Sequence, residues 1–428
     1  MNEDLKKIYH RDLAGLKIKM LNWANRFNIF ILLDNNGYDF EEPAFECLLA
    51  AGCTRSFSFP EKNAFASFQS FFAGSPSWLF GHLGYNAAGN AYIKTPKADI
   101  DFGRGFFFQP EIIIRLSVKG MEVIQSSSDP GYIIQQIFET PAPEIKSMKA
   151  PAICPLITKE KYLEEIKKLQ AHIKRGDCYE INFCQQFYSQ DADIDPVSIY
   201  QKLSALSPAP FSAFYRLNEK YCLCAGPERF LKKKGNRLIS QPIKGTSRRD
   251  LLHADKDESN KTTLADSKKD RAENVMITDL VRNDLSRVCE KNSVHVMELF
   301  GIYSFPQVHH MISTVEGTLA PDKSFTQAIE ACYPPGSMTG APKKRVMELI
   351  ESSEKYDRGL FSGSLGYITP AGDMDLNVVI RSIFYDSEKH RLSFFAGSGI
   401  TFYSNAEDEY DECMAKAEAM MRVLKVEG

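Results

Sequence analysis

GDCYEINFCQQF (Gly176–Phe187) follows directly on KYLEEIKKLQAHIK (Lys161–Lys174), and the change of period between them decides the class of fold. In the earlier segment Tyr162, Ile166, Leu169 and Ile173 recur on one helical stripe, and Gly176 ends it. In the later one Tyr179, Ile181, Phe183 and Phe187 alternate with Glu180, Asn182 and Gln186, which predicts a strand with one apolar and one polar face. Working outward, Asn28–Asp34 is an apolar run stopped by Asn35-Asn36-Gly37, and Glu111–Val118 and Leu238–Ile243 also read as strands. Helices are expected over Ala272–Leu285, with Met276, Ile277, Leu280 and Val281 inward, and from Ala406 to Val426, with Tyr410, Cys413, Ala417, Met421 and Leu424 inward. Between Arg248 and Arg271, 13 of 24 residues are charged, which predicts a solvated, mobile loop that gates its surroundings. No parallel βαβ succession is visible, so the class is α+β with a largely antiparallel sheet core. Four prolines (141, 143, 151, 155) mark a linker between an N-terminal region, 1–150, and a C-terminal region, 151–428.

Composition narrows the function. The chain has 428 residues, 43% apolar and 25% charged, and a net charge of −3, which excludes disordered, collagen-like and coiled-coil readings. That balance gives no basic footprint for nucleic acid. No apolar run reaches the ~18 residues of a membrane helix, and the first 20 residues lack a signal-peptide core. Ten cysteines without a CxxC pair suit reduced thiols in a cytoplasmic enzyme.

Several residues carry candidate chemistry. Glu273 falls in the first turn of its helix, where an acid also complements the dipole. Glu412 and Lys416 share a face at i,i+4, as an ordinary ion pair does, and Glu409 lies beside Glu412. Two helices that each offer a carboxylate to one pocket suit Mg²⁺. Glu228 and Lys244 sit at strand ends; a lone lysine there is usually solvated, whereas a buried one becomes a nucleophile or base. His309 and His310 point to opposite faces of a strand and do not share an ion. Gly336–Lys343 fails the Walker pattern, since Lys344 stands where Ser or Thr is needed.

In order along the chain, these segments resemble the chorismate-utilising enzymes: anthranilate, aminodeoxychorismate, isochorismate and salicylate synthases. The matching blocks are GDCYEINFCQQF, GPERFL (Gly226–Leu231), QPIKGT (Gln241–Thr246), KDRAENVMITDLVRNDLSRV (Lys269–Val288) and VHHMISTVEGTL (Val308–Leu319). PPGSMTGAPKKR (Pro334–Arg345), GYITPAGDMDLNVVIRS (Gly366–Ser382) and AGSGI…EYDE (Ala396–Glu412) complete the set. The resemblance covers Leu156 to the C-terminus and is loose before it. It implies two antiparallel sheets packed in a sandwich with helices outside and the active site between them.

The same resemblance implies roles. Glu273 and Glu412 match Mg²⁺ ligands, with the ion holding the ring carboxylate of chorismate. Gly245, Thr246 and Thr339 match substrate contacts, Arg381 and Lys416 the cations facing carboxylates, and Gly397 and Gly399 a glycine loop. His310 matches the histidine near the ring and Glu228 the general acid. Lys244 resembles the aminodeoxychorismate synthase branch, component I, where a lysine attacks C2, the C4 hydroxyl leaves, and ammonia then displaces the lysine on the route to para-aminobenzoate and folate. That chemistry requires a neutral amine at Lys244 and a protonated carboxyl at Glu228. Asn274 agrees with this branch, and Glu180 stands where isochorismate synthases have a lysine. Gly226 replaces a usual Ser or Thr, and Phe361 a usual Tyr or Trp. No glutaminase signature is present, so ammonia is expected from a separate glutamine amidotransferase subunit or from solution. The alternatives are anthranilate synthase component I and a non-catalytic chorismate-binding protein.

Overall fold

A computed structural model describes residues 13–38, 45–89, 100–141 and 150–425. Two large antiparallel sheets face one another. The first, of 11 strands, runs in spatial order from Gly340–Ala341 through Glu180–Ser189, Arg391–Thr401, Ser382–Asp386, Lys220–Gly226 and Phe211–Leu217 to Ile29–Asp34, and ends at Gly120–Gln125. The second, of 10 strands, runs from Ile243–Arg248 through Val308–Thr318, Arg237–Gln241, Arg229–Lys234, Met374–Asn377 and Ser364–Ile368 to Leu79–Leu83, and ends at Arg55–Ser58. Strands from before Pro141 thus lie inside both sheets: Ile29–Asp34 pairs with Phe211–Leu217, and Leu79–Leu83 with Ser364–Ile368. Most of the proline-rich linker, 142–149, lies outside the described residues.

The strand Glu180–Ser189 shows why the sheets pack as they do. Ile181, Phe183 and Phe187 join the core beneath the helices Lys159–Lys174, Pro196–Leu206 and Ala406–Leu424. Cys184, on the opposite face, belongs to the core between the sheets. The predicted alternation is present, but the polar face is not solvated: Glu180, Asn182 and Gln186 are all buried. Tyr179 does not join the apolar stripe; it precedes the strand and is exposed. A strand with polar residues on a buried face must satisfy them within the protein, and here that face looks onto the second sheet.

The helix Lys159–Lys174 lies where its period placed it, with Thr158 accepting from Lys161 N as the N-cap. The charged segment differs from expectation. Ala254–Asp266 is a helix, followed after Ser267 by the helix Lys268–Ser286, which begins about a turn before Ala272. Asp255 and Asp257 sit in its first turn, Leu264 is its one buried side chain, and Asp257 accepts from Arg249 at 2.8 Å and contacts His309 Nε2 at 3.1 Å. High charge reports solvation of the outer face; it does not prevent a helix clipped down by a single apolar residue and one half-buried ion pair. No helix among the described residues is long and apolar enough to cross a membrane.

Candidate active site

Lys244 and Glu180 meet across the gap between the sheets. The strand Ile243–Arg248 pairs with Val308–Thr318 but shifts register between Ile243 and Thr246, so Lys244 and Gly245 sit in an irregularity. Gly245 has φ +92, and a Cβ on it would come 2.9 Å from Asp270 Cβ, so the turn there demands glycine. The irregularity leaves Lys244 Nζ donating to Glu180 Oε1, with the lysine side chain 10% and the glutamate 1% exposed. Gly399 makes the room: a Cβ there would lie 2.8 Å from Glu180 Oε1 and 2.9 Å from Lys244 Nζ. Gly397 serves close strand packing, since its Cβ would come 2.1 Å from Phe183 O. Both glycines lie in the strand Arg391–Thr401, not in the loop that was expected.

The ion pair reverses one expectation. Lys244 was expected as a neutral amine, yet although burial works against its charge, Glu180 and Glu273 prevail and push its pKa up. Glu228 behaves as expected: burial raises its carboxyl to about 7, partly offset by the Ser337 hydroxyl, the Lys244 charge and the Ile243 backbone. Sequence reasoning passed over Glu180 as a site residue. The signal was an acid on the polar face of a strand whose other face is core.

Glu273, on Lys268–Ser286, is 8% exposed, and its Oε1 has no hydrogen-bond partner among the described residues. Burial, with Glu180 and Glu412 nearby, raises its carboxyl to about 7 against the pull of Lys244 and Lys269. Glu412, whose side chain is 43% exposed, is held below the usual carboxylate range against partial desolvation, because Lys416 donates to it at 2.7 Å. Lys416 also donates to Gly397 O at 3.0 Å, tying its helix to the strand below. Glu409 leaves Oε2 buried without a partner, and Lys269 stands 3.2 Å from Glu409 and 3.9 Å from Glu273. Partly unsatisfied buried carboxylates from two helices fit a divalent cation that keeps several waters.

His310 is buried, with Thr246 Oγ1 2.9 Å from Nδ1 and Arg381 Nη2 3.5 Å from Nε2. Burial first, then Arg381 and Lys416, hold its pKa well down, against the opposing Gly245 carbonyl. The ring is therefore neutral, with its proton on Nδ1 and Nε2 facing the guanidinium. His309 faces away, onto Ser304 Oγ at 2.8 Å and Asp257. Phe305 packs edge-on against His310 at 4.9 Å, and Tyr38 packs on Phe305 at 5.0 Å. Neither aromatic carried a signal in the sequence pattern. Thr339 is fully buried, and its hydroxyl donates to Gly336 O at 3.1 Å rather than into the gap. A separate cavity of about 40 Å³, lined by Asp34, Phe45, Tyr367 and Asp375 among others, includes none of these residues.

Residues 35–422 match the family of chorismate binding enzymes. The chain belongs to that family. Aminodeoxychorismate synthase component 1 of Salmonella typhimurium is 39% identical over 63% of this chain, a match spanning 58% of that relative's length. An anthranilate synthase component I-like protein of Synechocystis is 33% identical over 81% of this chain and 72% of its own. The crystal structure of anthranilate synthase component I from Streptococcus pneumoniae superposes with a TM-score of 0.77 at 24% identity, covering 90% of this chain and 94% of that one. The match to the Salmonella relative takes in less than two thirds of that protein.

Seen as a chorismate binding enzyme, the chain explains its own departures. Gly226 replaces a hydroxyl residue where a Cβ would already be 3.0 Å from Val378 O. Phe361 is buried and stacks on Phe395 with centroids 4.7 Å apart, so it serves the core between the sheets. Asn274 is also buried; it accepts from Ser313 Oγ at 2.5 Å and donates to Met311 O at 3.4 Å, bracing its helix against the strand Val308–Thr318.

Proposed function

We propose that this chorismate binding enzyme aminates chorismate to 4-amino-4-deoxychorismate, with Lys244 as nucleophile and Glu228 as general acid. The observation that carries the reading is the buried Lys244–Glu180 pair between the sheets, with a carboxyl held near neutral pKa at Glu228. Lys244 rests as an ammonium ion, and Glu180 is in place to take its proton. The freed amine attacks C2 of the ring, both conjugated ring double bonds shift by one position, and the C4–O bond breaks. The hydroxyl leaves as water with the proton of Glu228. Ammonia then adds at C4 and the Lys244 nitrogen leaves C2 with its bonding pair, which restores the ring's double-bond position.

Chorismate is a dianion, and Arg381, Lys416 and the His310–Thr246 pair supply cationic and hydrogen-bonding partners for it. Glu273 and Glu412 would hold Mg²⁺, which when bound supplies positive charge for a ring carboxylate. Ammonia would come from a separate glutamine amidotransferase subunit or from solution. The test is incubation with chorismate, Mg²⁺ and an ammonium salt above pH 8. Aminodeoxychorismate without pyruvate supports the reading; anthranilate with pyruvate would support the second reading, which the Synechocystis relative favours.

A further inference from the structure

Glu228 and Ser337 line the same cavity of about 10 Å³, room for at most about one water molecule. Two other polar side chains of its wall are already engaged. Ser240 Oγ donates to Phe230 O at 2.7 Å. Asp284 has both oxygens held by cations, Oδ1 by Arg287 at 2.7 Å and Oδ2 by Lys343. Ser337 differs: its Oγ is buried and completes no hydrogen bond at rest among the described residues. The two carbonyls before it are taken, Pro335 O by Met338 N at 3.1 Å and Gly336 O by Thr339 N at 3.0 Å, with the Thr339 hydroxyl on both. The turn that carries the serine is braced on every side. Lys343 donates to Cys332 O at 2.8 Å and Pro334 O at 2.9 Å ahead of it, and Arg358 Nη1 donates to Met338 O at 2.6 Å behind it. Gly336 lies so close to the helix Lys268–Ser286 that a Cβ would come 3.0 Å from Leu280 Cδ2. A buried hydroxyl fixed in place costs free energy unless it meets an acceptor, and the acceptor this wall still offers is the Glu228 carboxyl.

We propose that Ser337 is the positioning residue of the Glu228 general acid: its hydroxyl donates to one carboxyl oxygen, so that the proton to be delivered sits on the other. For the role of Glu228 this inference rests on the amination reading. The donated hydrogen bond favours the carboxylate left after proton transfer, and the Ser337 hydroxyl accordingly works against the burial that lifts Glu228. The other charged and titratable groups facing Glu228 are few among the described residues. Lys244 from the strand Ile243–Arg248 also draws its pKa down, Asp284 is held by its two cations, and burial pushes the Cys332 thiol up. The bracing by Lys343 and Arg358, which the reaction does not otherwise use, then has a purpose: it fixes the donor that fixes the acid.

Ser337→Ala removes one oxygen atom and tests this. With ammonium chloride as amine donor, kcat should fall about tenfold while the KM for chorismate stays within about twofold. The alkaline limb of the profile, taken per unit of free ammonia, should move up by about half a pH unit or more, because the carboxyl loses a donor. In a Glu228→Gln background the same substitution should change kcat by no more than about twofold, since the group it positions is gone. A limb that stays where it was, or an equal tenfold loss in the Glu228→Gln background, overturns the inference. A second readout needs no turnover: infrared titration of the substrate-free chain, with the carboxyl band of Glu228 assigned by its loss in Glu228→Gln. That band should titrate higher in Ser337→Ala than in the wild type, and an unmoved midpoint overturns the inference. A wild-type chain that forms no aminated product sinks the amination reading, and the infrared midpoint then decides whether Ser337 holds Glu228.

Discussion

The two walls of the site are built differently. The wall from the first sheet is regular: Glu180–Ser189 and Arg391–Thr401 stay in register from Ser189–Leu392 to Glu180–Thr401 and are almost wholly buried. The wall from the second sheet is irregular. Register shifts occur in the pairing of Ile243–Arg248 and twice in that of His295–Ser304, and several of its side chains are half-buried or exposed. The regular wall contributes Glu180 and the clearance at Gly399; the irregular wall contributes Lys244, Thr246 and His310. A rigid template thus faces a wall whose bulges aim the reactive groups. The comparison can be broken from either side.

The largest effect should come from removing the side chain that crosses between the walls. Lys244→Ala should lower the amination rate by at least about 10³-fold while chorismate still binds, as rapid-quench turnover and equilibrium binding can show. Glu228→Gln should cost about 10²-fold and also change the pH profile. In the wild type, activity per unit of free ammonia should fall above pH about 7 as Glu228 ionises, and this limb should be missing from the variant.

The stability prediction for the same residue has a definite sign. The folded carboxyl titrates near 7 against an ordinary 4.5, so between those values the unfolded chain has released a proton that the folded chain keeps. Stability from this group is therefore full below pH 4.5 and is lost as pH rises to about 7. Glu228→Gln should flatten that part of the Tm-versus-pH curve, leaving the similar contribution of Glu273 in place.

On the regular wall, Gly399→Ala should push Glu180 and Lys244 apart and cost about tenfold to a hundredfold in turnover with little change in Tm. A normal rate in this variant would mean that the clearance does not matter. The smallest effect belongs to the cover of the irregular wall. Leu264→Ala removes the one buried anchor of Ala254–Asp266, and hydrogen exchange should quicken there while Glu180–Ser189 stays protected. Equal loss of protection in both would show that the walls are not independent.

Legibility in the sequence follows the same division. The helix Lys159–Lys174 and the alternation after it could be read because one side of each is continuous core, which imposes a period. The charged helix Ala254–Asp266 could not, because it buries one side chain and so leaves almost no periodic trace. The polar positions of Glu180–Ser189 were read as a face, and that face is buried; sidedness is written in a single strand, but what covers that side is not. Likewise Glu228, Lys244, Glu273 and Glu412 were recognisable from their motifs, whereas the Glu180 partner and the Tyr38–Phe305–His310 stack depend on segments far apart in the chain.

The central claim is that Lys244 bonds to the ring. Mixing the protein with chorismate and Mg²⁺ without ammonia, quenching with acid and mapping the peptides by mass would test it directly. The account predicts that the peptide carrying Lys244 gains the mass of chorismate less one water, and that a chase with ammonium removes it. Aminated product formed by a chain whose Lys244 peptide is never modified would contradict it.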